Sequence, residues 1–138
     1  MKKLLVTLLF ASATAIFANT ASAQMIIANP NVKTSEISKS ELTDIFSGAS
    51  SSFGGTHVTP VLLKAGPVTD QFLSTYIGKS DLAYRTGWRS LVFSGQAMMP
   101  RSFDSDAALV DYVAHNPGAI GYIGKGSPHE GVKIIAVK

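Results

Sequence analysis

The 138 residues contain no cysteine. That absence removes a disulfide scaffold, a Cys-ligated zinc site, a thiol nucleophile and the acylated cysteine of a lipoprotein anchor. Charge is sparse as well, at 15% against 46% hydrophobic residues, and the length leaves room for one packed domain and little more. Histidine is limited to His57, His115 and His129, none with a second ligand at helical or zinc spacing, so neither a metal nor another cofactor is expected. There is no G-x-S-x-G elbow, no H-E-x-x-H and no complete P-loop. Gly124-Lys125-Gly126-Ser127 lacks the upstream glycine spacing and reads as a turn. Asp104, Asp106 and Asp111 read as helix capping and surface charge rather than a catalytic carboxylate pair. An enzyme is therefore not expected.

What is present begins with a targeting pattern. Lys2 and Lys3 precede an apolar stretch from Leu4 to Phe17, and Ala21-Ser22-Ala23 sets small residues before Gln24. Residues 1–23 are expected to be a cleaved secretory signal peptide, because the apolar stretch falls short of the roughly 20 residues that span a bilayer. Residues 24–138 are then expected to form a single periplasmic domain with no membrane anchor. Without Lys2 and Lys3, ten basic residues face nine acidic ones, and the formal net charge falls from +3 to +1. No basic cluster interleaved with aromatics remains, so nucleic acid is not an expected partner.

Periodicity and punctuation give the order strand, helix, strand, helix, helix, helix, strand, strand. Met25 to Ala28 is a short apolar run closed by Asn29-Pro30-Asn31, a buried strand ending in a turn. Ser38 caps the first helix with Glu41 three residues on, Ile37 and Leu42 form a hydrophobic staple, and Gly48 is the left-handed stop. Residues 49–56, rich in Ser and Gly, read as a loop, and residues 58–63 as a strand whose Pro60 marks an edge or a bulge. Pro67 opens a second helix through Phe72, Leu73, Tyr76 and Ile77, ended by Gly78. A third runs from Ser80 with Tyr84, Trp88, Leu91 and Val92 in register, despite Gly87 in its middle. A fourth, capped by Asp104 or Ser105, turns Leu109, Val110 and Val113 inward. Residues 119–123 and 132–137 read as the last strands, so the class is α/β, a mixed sheet flanked by helices.

Three stretches resemble the phosphate-binding periplasmic proteins of ABC transporters, within the type II periplasmic-binding-protein superfamily. They are Ile27-Ala28-Asn29-Pro30 followed by Ser38 to Gly48, Leu62-Leu63-Lys64 before the second helix, and Asn116-Pro117-Gly118-Ala119-Ile120-Gly121-Tyr122. The resemblance implies one lobe of a two-lobed fold, since 115 residues remain after the signal peptide. It also implies inorganic phosphate or another oxyanion as ligand, with a transporter or envelope protein as partner. In that family an arginine precedes a Ser-Gly-Thr at a helix start, whereas here Lys64 stands near the arginine position and Gly66-Pro67-Val68-Thr69 replaces the triplet.

The chemistry of that turn suits an anion on general grounds. A helix start presents unpaired N–H groups and partial positive charge, to which one cation and one hydroxyl are the natural complement. Lys64 supplies the cation, Gly66 and Val68 the N–H groups and Thr69 the hydroxyl, so these four are the candidate ligand-binding residues. In the competing class the lobe is kept for its surfaces alone, as a non-catalytic periplasmic interaction module that has lost its ligand. Arg85 and Arg89, four apart on the third helix, read as solvated helix surface.

Overall fold

The computed structural model describes residues 24–138, and the expected signal peptide lies outside the described residues. In chain order the elements are β1 (Met25–Ala28), β2 (Glu36–Ile37), α1 (Lys39–Phe46), β3 (Ser52–Phe53), β4 (Thr56–His57), β5 (Thr59–Pro60), β6 (Leu62–Leu63), α2 (Pro67–Phe72), a π-helical turn (Leu73–Ile77), α3 (Asp81–Phe93), β7 (Ser102–Phe103), α4 (Asp106–His115), β8 (Ala119–Ile123) and β9 (Lys133–Val137). The main sheet has the order β2-β9-β1-β8-β5. β1 runs antiparallel to both β8 and β9, while β2 and β5 run parallel to their neighbours, so the sheet is mixed.

Helices cover both faces, which is why β8 is buried at all five positions. On one face Leu109 of α4 comes so near Gly121 that a Cβ there would lie 2.9 Å from its Cδ2. Glycine at this point lets the helix settle on the sheet. On the other face Tyr122 stacks on Phe72 of α2, with centroids 3.9 Å apart, and Phe46 of α1 meets Phe72 edge-on at 4.9 Å. Tyr84 and Trp88 of α3 complete this layer, both donating to the Phe46 carbonyl oxygen.

The expected helices form, with two changes. The last turn of the second widens to a π turn, where the Gly78 N–H reaches Leu73 O at 2.6 Å and the Thr43 hydroxyl donates to the Tyr76 carbonyl. Val92 faces outward, 42% exposed, rather than joining Tyr84 and Trp88. Residues 49–56 are not simply a loop, because β3 and β4 form a small hairpin. Gly54 and Gly55, with φ of +58° and +78°, supply the two left-handed residues that a type I′ turn needs. The single strand expected at 58–63 is divided. Val61 N–H still bonds Ile120 O on the main sheet, but Leu62 N–H bonds Arg101 O, so the chain changes partner there and pairs with β7. Pro60, without a donor, lies on the edge strand β5.

Candidate functional site

β6 ends and α2 begins across residues 64–69, and the turn between them is fastened from below. The Leu63 N–H donates to the Tyr122 hydroxyl at 3.2 Å, and that hydroxyl lies 2.8 Å from Thr69 Oγ1. Thr69 Oγ1 is also 2.9 Å from Lys64 O and 3.2 Å from Leu63 O. Thr69 is 2% exposed. The hydroxyl that the sequence offers to a ligand is therefore engaged by the turn's own carbonyls and by Tyr122, although Thr69 lines the same concavity as Lys64, Gly66 and Val68. Burial pushes the Tyr122 phenol up to about 12, against the smaller opposing effect of its bond with Thr69, and keeps it neutral.

Above this joint the backbone opens a concavity of about 250 Å³, walled in part by Lys64, Gly66, Val68, Asp104 and Asp106. Lys64, Gly66 and Val68 meet at one mouth, and among the described residues no acceptor is bonded to the Gly66 or Val68 N–H. Lys64 Nζ is 2.6 Å from Asp104 Oδ1, but the two side chains are 62% and 79% exposed, so water screens the pair and it is weak. Asp106 is engaged elsewhere, accepting from Gly124 N–H and Ser127 Oγ and so pinning the turn after β8. α2 has six residues and begins with Pro67. It runs on without a break into the π turn at Leu73–Ile77, and Pro67 brings no N–H to its start, so the cation and the N–H groups of Gly66 and Val68 are the donors it offers.

Asp104 was not expected beside Lys64. The parallel pairing of Leu63 with Phe103 brings it there across 40 positions of sequence. A two-residue strand carries no periodicity that could have announced the contact. Another hollow, of about 520 Å³, lies along α4, lined by Val110, Asp111, Ala114, His115, Pro128 and Glu130, and none of the expected ligand-binding residues reaches it. Among the described residues no three metal-ligating side chains converge, at His57, His115 and His129 or elsewhere.

Two of the stretches that carry the resemblance form a structural joint. Asn29 donates to Val113 O at 2.8 Å and Ala114 O at 3.2 Å, closing the carbonyl end of α4. Asn31 Oδ1 accepts the Gly118 N–H at 2.8 Å. Gly118 has φ of +81°, and a Cβ there would lie 2.4 Å from His57 O. Only glycine fits this position, which locks the entry of β8 to the chain before β5.

Element order, mixed sheet and two-sided helix cover are those of a mixed α/β fold, and the solved structures that share it have the periplasmic-binding-protein fold. Among the solved structures the chain is similar to are an ABC-type phosphate transport receptor from Vibrio cholerae (TM-score 0.65, 21% identity, 84% of this chain and 46% of that one) and a phosphate ABC transporter substrate-binding protein from Clostridium perfringens with bound phosphate (0.65, 16%, 84% and 45%). PstS from Borrelia burgdorferi is similar at TM-score 0.61 and 20% identity, over 85% of this chain and 47% of that one. The likeness is one of fold, and the chain spans about half the length of these structures. Neither a protein-family model nor a curated protein matches the chain.

Proposed function

We propose that this chain is a non-catalytic, solute-binding-like protein of the periplasm that takes a phosphate-class oxyanion weakly at the turn between β6 and α2. The observation that carries this reading is the meeting of Lys64 with the unbonded Gly66 and Val68 N–H groups in one concavity. The fold it shares with phosphate-transport receptors points to the same chemistry. Affinity is low for two stated reasons. Thr69 gives no hydroxyl, and Asp104 occupies the lysine that an oxyanion would need. A transporter or envelope protein is the corresponding partner. A second reading, an interaction module without a ligand, is favoured by the buried Thr69 hydroxyl alone.

Thermal unfolding in phosphate or sulfate, matched with chloride for ionic strength, separates the two. A bound oxyanion stabilises by RT ln(1 + [L]/Kd), about 2.7 kcal/mol at a hundredfold excess over Kd. Lys64→Ala is expected to abolish the shift, and Asp104→Asn to enlarge it by freeing Lys64. If millimolar phosphate and sulfate act no differently from chloride on both the parent chain and Asp104→Asn, the ligand reading fails and the module stands.

A further inference from the structure

The stripe of α3 that packs on the core lacks one side chain. Tyr84, Gly87, Trp88 and Leu91 stand at the i, i+3, i+4 and i+7 places of a single helical face, with Tyr84 and Trp88 buried and Leu91 packed partly against the core. Three of these residues are large and the remaining one is glycine. Gly87 does not have a positive φ, so no turn requires it, and a Cβ there would meet nothing within 4 Å, so no neighbour excludes a side chain. In mid-helix glycine is nevertheless the least favourable residue after proline. What it leaves open is a hollow of about 220 Å³, walled by Tyr84, Gly87, Trp88 and Leu91 and completed by Ser47 and Lys79. A cavity of about 150 Å³ already takes a benzene ring, so this one has room for a ring with a short arm.

The polar groups around the hollow set the charge of what it takes. The Tyr84 hydroxyl and Trp88 Nε1 are already engaged, both donating to the Phe46 carbonyl oxygen. Among the described residues the Lys79 ammonium and the Ser47 hydroxyl have no hydrogen-bond or ion-pair partner. Lys79 is also the one charged residue in the lining. Asp70 and Asp81 border a separate hollow that Lys79 also touches, and Asp81 is held by Arg85. From this arrangement we propose that the hollow is a binding site for a small organic acid, an apolar body of about one ring carrying a carboxylate. The ring lies against Trp88 and Leu91 in the space that Gly87 leaves, and the carboxylate accepts from Lys79 and Ser47. Apolar walls give a bare inorganic anion nothing in exchange for its water, and a single ammonium gives a neutral hydrocarbon no orientation. The site shares no lining residue with the turn between β6 and α2 and is independent of it.

Trp88 is the only tryptophan in the sequence, so its fluorescence reports on this hollow directly. Titration of 3-phenylpropionate into the protein purified from expression of the full-length chain should change the emission saturably, and the neutral 3-phenylpropanamide should bind at least tenfold more weakly. Lys79→Met is expected to bring the acid down to the level of the amide and to leave the amide where it was. Gly87→Leu should remove the response to both, with a melting temperature no lower than the parent's, because a better helix former enters open space. An emission that does not saturate with 3-phenylpropionate overturns the proposal. So does equal binding of acid and amide, and so does a Gly87→Leu protein that binds as the parent does. Should Gly87→Leu fail to fold, Lys79→Met decides alone, since Lys79 is exposed and outside the helix.

Discussion

A buried phenol that accepts one N–H and shares a bond with a second hydroxyl has little freedom to ionise. Tyr122 holds the end of β6 through Leu63 and the start of α2 through Thr69. In Tyr122→Phe the Leu63 N–H keeps no partner in the core, and a loss of about 1–3 kcal/mol is expected from denaturant unfolding. Tyr122 and Tyr84 are both raised by burial above the ordinary phenol value. The folded chain therefore holds these protons more tightly than the unfolded one. Their contribution is intact below about pH 10 and is lost as pH rises through the Tyr122 value of about 12. Unfolding followed from pH 8 to 11.5 should show a plateau and then a decline, shallower in Tyr122→Phe. At this scale the sequence was half legible. Lys64, Gly66 and Val68 announce themselves as a turn at a helix start, but nothing local says that Thr69 points at Tyr122, 53 positions away.

Helix α1 shows how much a local signal can carry. Ser38 Oγ accepts the Glu41 N–H at 3.0 Å and donates to Glu41 Oε1, so serine and glutamate engage each other as the sequence suggests, although the glutamate holds the hydroxyl and not the backbone. Ile37 and Leu42, the expected staple, are both fully buried. Ser38→Ala should cost about 1 kcal/mol, read as a fall of roughly 3–6 °C in melting temperature. An unchanged melting curve would show that packing of Leu42, Ile45 and Phe46 holds the helix alone. Elements with caps and several turns were readable for this reason. The two-residue strands β2, β3, β4 and β7 were not, because a period of two needs more than two residues to be seen. The π turn was equally hidden, since it depends on Thr43 from another helix.

For the molecule as a whole, the sheet depends on segments far apart in sequence. β1 holds its place through β8 on one side and β9 on the other. Removing residues 132–138 strips β1 of one neighbour and β2 of the strand it pairs with among the described residues. Such a truncated chain is expected to lose its cooperative unfolding transition in circular dichroism. The same arrangement sets a timetable. The first described strand is the middle of the sheet, and its two neighbours are the last of the described strands to be made. Until residue 119 and beyond have emerged, Ile26 and Ile27 have no strand to pair with, and the helices that form earlier have no sheet to lie on. Closure therefore waits for β8 and β9 to be made, with a search across most of the described residues. A polypeptide that delays its fold in this way remains extended and threadable for most of the time that residues 24–138 are being made.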